Sequence, residues 1–478
     1  MPDPANYEGD RPAAPGRGPG PGGDEPLSPL ERVLRLVTDV RAGEGAAVVA
    51  LTASLFVLLT AYYMVKSARE PLILELKSGA NVKSYAAVGQ ALLLIVVNLV
   101  YSAVASKIDR LLLVTGALAF FLVNLVVFAA VTGLGLRVGV PFFLWVGVFN
   151  YMSIAQIWSL AADLYTEEQG KRLFPMVGMG SAVGAVVGAL VANAFFEPPF
   201  GLPPASPAVL MWLSAALLGV TVVLVRLAYR LKVERDPKPD APEGGGPAAA
   251  DPKARDEASP SKAGGFGLVA GDRYLLLLAA LTLLLNWVNS SGEYIFDRTL
   301  LAAAADEAAR RGVPVDSIVK PFVGGARSAF FAWVNALGIV LQAFFVSRFF
   351  KRFGVRKAIF VMPFFSLAGA FGVLAAPVLA TIRTAKLAEN SLDYSLQNTA
   401  RQALYLPVSR EAKYKAKAVI DTLCVRLGDV LTALVVFVGA KYAFGVRTFA
   451  AVNVVLVSAW LFVAFLLARE HRKRSAEA

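Results

Sequence analysis

Residues 381–404 read TIRTAKLAENSLDYSLQNTARQAL. The stretch is as long as a membrane span, yet it carries Arg383, Lys386, Glu389, Asp393 and Arg401. On a helix most of these charges, with Asn390 and Gln397, fall three or four residues apart and form one polar stripe. Ala385, Leu387, Leu392, Leu396, Ala400 and Leu404 make the opposite, apolar face. Facing lipid, each charge at the bilayer centre would cost ~3 kcal/mol, and the five together roughly 15 kcal/mol. Such a helix needs its stripe to face a water-filled cavity or paired partners inside a bundle. One reading is a polar substrate pathway through a membrane. The other is internal ion pairing that fixes helix register.

The rest of the chain supports a membrane setting. Its 478 residues are 56% hydrophobic and 17% charged, less charged than a soluble chain of this length. Apolar runs near twenty residues recur, the signature of an all-α protein with many transmembrane helices. Length and hydropathy predict about twelve. Six lie near 45–68, 84–105, 111–132, 139–163, 173–195 and 207–230, and six near 273–300, 325–349, 356–379, 381–405, 416–440 and 447–468. Around them we expect a disordered tail (1–27), an amphipathic cytoplasmic helix (28–42), an N-terminal six-helix bundle (43–233), a cytoplasmic linker (234–270), a C-terminal six-helix bundle (271–468) and a basic tail (469–478). Ser28-Pro29-Leu-Glu31 reads as a capping box that starts the amphipathic helix. No early apolar segment marks a cleavable signal peptide.

The single cysteine, Cys424, and the single histidine, His471, leave no internal disulfide, Cys-based metal cluster or buried histidine relay. We expect no metal and no cofactor. The net charge of +12 is concentrated where cytoplasmic loops would lie, at Lys107, Arg110, Lys171, Arg172, Arg348, Lys351, Arg352, Arg356, Lys357, Lys413, Lys415, Lys417 and the tail. It reports membrane orientation, with both termini cytoplasmic in a bacterial inner membrane, rather than nucleic-acid binding. The exceptions fall around Lys66–Lys83 and Arg310–Arg327. Each is either a loop that overrode the bias or a functional charge.

The halves echo each other. Asp163-Leu-Tyr165 followed by Lys171-Arg172 joins the fourth span to the fifth, as Ala403-Leu-Tyr405 followed by Lys413, Lys415 and Lys417 joins the tenth to the eleventh. A six-plus-six repeat with a basic central linker is the layout of the major facilitator fold. The turns holding Asp109-Arg110 and Arg352-Phe-Gly354 resemble that superfamily's motif between its second and third spans. Asp109, Arg110, Arg172, Arg352, Lys417, Asp421 and Asp429 are candidates for conformational roles.

Polar residues within spans supply candidate substrate contacts. In the first span Tyr62, Lys66, Arg69 and Glu70 share a face. Its cations suit an anionic group, or Lys66 pairs with Glu70, or the cations snorkel to lipid phosphates. The fourth span offers Asn150, Gln156 and Asp163, with Tyr151, Trp158 and Tyr165 as aromatic surface. The seventh offers Asn289, Glu293 and Asp297, acids that could latch the outer end of a cavity against the bases of the first. Lys386, Asp393, Gln397 and Arg401 come from the tenth. In the eleventh, Lys417–Asp421 reads as a local pair, and Arg426 and Asp429 lie deeper. Gly178, Gly180, Gly184 and Gly188 in the fifth read as close helix packing. They do not form a phosphate loop, for no Gly-Lys-Ser follows. No nucleophile-base pair or Walker motif appears, so an enzyme is not expected.

Two stretches carry a more specific signal. One runs Ile157-Trp158-Ser159, Asp163, Lys171-Arg172-Leu-Phe174-Pro175, then Gly178 and Gly180. The other runs Tyr394-Ser395-Leu396, Arg401-Gln-Ala-Leu-Tyr405-Leu-Pro407, Lys415-Ala-Lys417-Ala418-Val-Ile-Asp421, Arg426-Leu-Gly428. Both resemble the bacterial and plastid ATP/ADP translocase family. The resemblance implies an antiporter that exchanges ATP for ADP, or a related nucleotide, without hydrolysis; separately, we expect a monomer. Lys66, Arg69, Arg401 and Arg426 would then meet the phosphates. The chain departs from the family pattern at Ser67, where an acid is usual, at Asn289, where the acid comes one turn later as Glu293, and at Asp429, where a lysine is usual. The alternatives are a carrier of another organic anion or amphiphilic lipid with proton coupling, and a scaffold or sensor that has lost transport.

Overall fold

The computed structural model describes residues 28–35, 38–105, 108–235 and 265–477. Residues 1–27, Lys107 and most of the expected linker lie outside the described residues. All regular elements within them are helical. A short helix α1 (Pro29–Leu34) precedes α2 (Gly45–Leu74), α3 (Gly79–Ala105), α4 (Arg110–Gly133), α5 (Gly139–Leu164), α6 (Glu167–Phe196) and α7 (Pro207–Arg235). After α8 (Gly265–Gly271) come α9 (Arg273–Arg311), α10 (Val315–Val340), α11 (Ser347–Ala375), α12 (Leu379–Leu392), α13 (Asn398–Ala403), α14 (Arg410–Val419), α15 (Val425–Lys441) and α16 (Val446–Glu477).

Ten of these stretches are long and apolar enough to cross a membrane. One of them, Val315–Ala375, holds two spans. Gly354 breaks it at φ 73°, a backbone conformation that only glycine adopts without strain. The charged path α12–α13 adds a further span that hydropathy passes over. The protein is thus a multi-pass membrane protein, with two sets of six spans among the described residues.

Sequence explains many helix ends. Asp272 caps α9 by accepting from the Tyr274 N–H at 2.8 Å, and Asp109 caps α4 from Leu111 at 3.0 Å. Thr166 and Gln169 form a capping box on α6. Ser28 and Glu31 form the expected one on α1, but that helix ends at Leu34, capped by Arg35. Glu31 is buried and accepts from the Gly43 and Gly45 N–H groups, which ties α1 to the start of α2.

The spans alternate in direction, so the bundle has two ends. The proximal end carries α1, the start of α9 and the end of α16, stapled by Arg110–Asp163 at 2.9 Å, Arg172–Glu44 at 2.9 Å and Arg474–Asp272 at 2.5 Å. The distal end carries the connections near residues 75–78, 197–206 and 312–314. In the N-terminal half α2 packs on α6 through the predicted glycines. A Cβ on Gly184 would lie 2.3 Å from the Phe56 carbonyl oxygen, and one on Gly188 2.3 Å from that of Thr60. In the C-terminal half three wide π-turns interrupt the spans, at Leu341–Val346, Asp393–Gln397 and Ile420–Cys424. Such turns insert a residue into the helix and often mark functional sites.

Candidate functional site

The halves meet through α2, α3 and α6 on one side and α9, α10 and α15 on the other. Among the described residues, the recorded polar bonds between halves lie from the middle of the spans to the distal end. Tyr63 Oη meets Asn335 Oδ1 at 3.0 Å, Tyr294 Oη meets Asn81 Oδ1 at 3.0 Å, and Asn193 donates to the Gly325 carbonyl at 3.1 Å. Lys320–Glu75 closes the distal rim at 2.7 Å. Gly324 and Gly325 allow this approach, because a Cβ on either would collide with Phe196 or Glu197.

Beneath that rim lies a buried ionic network. Glu70 on α2 is 1% exposed and bonds Arg69 and Lys83. Lys83 on α3 also reaches Asp297 on α9 at 2.8 Å. Arg327 on α10, fully buried, pairs with Asp297 and with Glu293 at 2.8 Å and lies 3.9 Å from Glu70. Glu293 accepts from Asn390 at 3.2 Å, and 3.7 Å away stands Lys386, which bonds Glu389 at 2.9 Å and Asn289 Oδ1 at 2.7 Å. Ser366 completes Glu389 at 3.0 Å. Lys386 fits against α9 because Gly292 is bare there; a Cβ would sit 3.2 Å from its Nζ. Four cations and four carboxylates thus neutralise one another. Buried charges survive when paired and hydrogen-bonded this fully.

On the proximal side of the network the charges are less committed. Lys66 lies over the Phe331 ring at 4.3 Å and the Tyr63 ring at 5.1 Å, with no carboxylate at ion-pair distance among the described residues. Glu70 is spent on Arg69 and Lys83, so the local Lys66–Glu70 pairing is not formed. Tyr394 sits on the π-turn of the tenth span, where a Cβ on Gly338 of α10 would lie 3.8 Å from its own. Tyr394 is 47% exposed. Asp393 opens the π-turn of this span. Gln397, 1% exposed, has both amide atoms unpartnered among the described residues, as have Gln156 Oε1 and Arg401 Nε. Orphaned buried polar atoms of this kind are unusual.

The remaining predicted residues fall elsewhere. Tyr62 is buried edge-on against Tyr63, Asn150 is exposed, and Arg69 stacks 4.6 Å from the Phe143 ring. Asp163 is at the proximal end with Arg110. Arg172 holds Glu44 and the Asp39 carbonyl. Arg352 rests on Phe353. Lys417 bonds Gln402 at 2.6 Å instead of Asp421, whose buried Oδ1 has no partner among the described residues. Arg426 meets Asp429 at 3.4 Å, and Asp429 accepts from Ser290 at 2.6 Å. Trp158 and Tyr165 pack edge-on against Phe174. Sequence reasoning named neither Lys83 nor Arg327 as a site residue, although both bound the stretches where the basic-loop rule failed.

Outside the spans, burial pushes the Glu44 carboxyl up, but hydrogen bonds from Arg172, the Arg41 N–H and Gln169 bring it below the ordinary value of 4.5.

Residues 314–471, about a third of the chain, match the family described as TLC ATP/ADP transporter. No curated protein matches the sequence. Three solved transporters share the fold. A bacterial homolog of the human lysosomal transporter Spinster, in an inward-facing and unoccupied conformation, aligns with TM-score 0.54 and 13% identity over 91% of this chain and 99% of that one. The POT family transporter PepTSo aligns with TM-score 0.59 and 12% identity over 90% and 99%. The nucleoside transporter NupG aligns with TM-score 0.55 and 13% identity over 88% and 98%. At these identities the three establish the fold. The chain thus has the major facilitator fold, and its C-terminal third is similar to the TLC ATP/ADP transporter family.

Proposed function

We propose that the protein exchanges a nucleotide or a related small organic anion across a bacterial inner membrane by alternating access, as a monomer with both termini cytoplasmic. The observation that carries this is Lys66. It is a cation inside the bundle against two aromatic faces, with no carboxylate at ion-pair distance among the described residues, and it lies under a distal network whose own charges are paired. An anion entering from the proximal side would find Lys66 and Arg401 on opposite halves, with the orphaned amides of Gln156 and Gln397 as hydrogen-bonding groups. Basic residues around the proximal end support a cytoplasmic position for it. The seal then holds an inward-open state, and its breakage would let the halves rock about the midplane.

The test is counterflow in proteoliposomes holding the purified full chain. Labelled adenine nucleotide outside should enter faster when unlabelled nucleotide is trapped inside, and an imposed pH gradient should leave the rate unchanged. Uptake driven only by the pH gradient, or none for any nucleotide, would refute exchange.

A further inference from the structure

Lys66 is held by one ring from each half of the molecule. Its Nζ lies 5.1 Å from the ring centroid of Tyr63, one turn back on α2, and 4.3 Å from that of Phe331 on α10. Both distances fall within the range of a cation–π contact. The two rings meet edge-on at 6.2 Å. One side chain fixes both: Asn335 accepts from the Tyr63 hydroxyl at 3.0 Å and donates to the Phe331 carbonyl at 2.7 Å. Phe331 is 7% exposed, so the contact is shielded from bulk water, where a ring face holds a cation most strongly. Arg69 on Phe143 and Arg327 on Phe296 differ. There each ring belongs to the cation's own half, and each cation also has a carboxylate partner.

We propose, resting on the exchange reading above, that Lys66 and Phe331 form a clasp between the halves that an arriving anion releases, and that Phe331 is the positioning residue that makes exchange obligatory. The helices α2 and α10 are in contact across the interface, so opening the distal side must part them. In the empty carrier that movement strips the Lys66 ammonium of the Phe331 face and puts no counter-charge in its place. A bound anion changes the balance, because a charge-assisted ammonium–anion pair outweighs a ring face. Lys66 turns to the cargo, and the halves part without that loss. The anion thereby contacts the two states differently, which is what a ligand needs to shift their balance. The empty carrier switches slowly and the loaded carrier quickly, the kinetic condition for antiport.

The experiment uses proteoliposomes of the full chain loaded with labelled ADP. Efflux is measured into buffer with unlabelled ADP and into buffer without it. In the unaltered protein efflux should be fast only with ADP outside. Two changes remove the ring's negative face: Phe331→Leu keeps an apolar side chain, and a ring-fluorinated phenylalanine in place of Phe331 keeps the shape while weakening the quadrupole. Each should raise efflux into ADP-free buffer at least about threefold and alter exchange by less than about twofold, since the clasp acts on the empty carrier alone. Phe331→Tyr keeps a face for the cation and should keep the slow empty return. A packing role for Phe331 would move both fluxes together in the leucine variant and neither in the fluorinated protein, and would overturn the clasp. Intact exchange with ADP-free efflux unchanged in both proteins would also overturn it, leaving the exchange reading in place. No exchange in the unaltered protein would remove the reading on which the clasp rests.

Discussion

Lys83 and Asp297 meet at 2.8 Å from opposite halves of the molecule. One stands in the first turns of the second span and the other deep in the seventh. Their contact couples the separation of two six-helix bodies to the breakage of a buried ion pair.

Replacing Asp297 with Asn removes the carboxylate that Lys83 and Arg327 share, and losing one partner of a buried pair costs about 3 kcal/mol. We expect the distal seal to loosen. Spin labels at Phe200 and Val313, both exposed at the distal end, in a Cys424→Ser background, should show a longer-distance population in the variant. A distance distribution identical to that of the unaltered protein would mean the pair does not hold the closed state.

Among the described residues Lys66 has no carboxylate at ion-pair distance, so Lys66→Ala should spare the fold. Thermal unfolding should shift by less than a few degrees, equivalent to about 1 kcal/mol. Anion exchange should drop at least tenfold, and Lys66→Arg should restore part of it. If Lys66→Ala exchanges normally in the same vesicles, Lys66 is not a substrate contact.

Gly188→Ala should act in the reverse manner. Its new Cβ would meet the Thr60 carbonyl oxygen at 2.3 Å, and α2 and α6 would have to separate. Overpacking of this kind costs about 1–3 kcal/mol. A lowered melting temperature in detergent is the expected result, and an unchanged one would show that the helices adjust freely.

The Glu44–Arg172 staple predicts a pH dependence. Glu44 has its folded-state value below 4.5, so its stabilisation is present above that pH and is lost as pH falls through the lower folded value. The melting temperature gap between the unaltered protein and Glu44→Gln should be constant from neutral pH to about 5 and shrink below 4.5. A gap that widens on acidification would reverse the sign of the argument.

Much of this arrangement was legible in the chain, for definite reasons. Charges in an apolar span are costly, so Lys386, Glu389 and Asn390 in the tenth span and Glu293 and Asp297 in the seventh announced themselves. The basic-loop rule marked Lys83 and Arg327 by its failure there, without saying which of its two explanations applied. Local pairing was a poor guide. Glu70 bonds its neighbour Arg69 and Lys83 of the next span rather than Lys66, and Lys417 bonds Gln402 rather than Asp421, because burial rewards the best geometry available in three dimensions rather than helical spacing alone. The π-turns left no trace in the pattern of side chains, since one added backbone residue changes neither length nor hydropathy enough to notice.

Those three turns also make the halves mechanically unequal. All occur after residue 340, and those of the eighth and tenth spans pack together. A surplus residue can migrate along a helix and swing the side chains it passes through about a quarter-turn. Asp393, Tyr394 and Gln397 ride on such a turn. In the exchange cycle proposed above, such turns would let the C-terminal body re-aim its side chains, while α2 and α6 of the N-terminal body stay interlocked glycine to carbonyl.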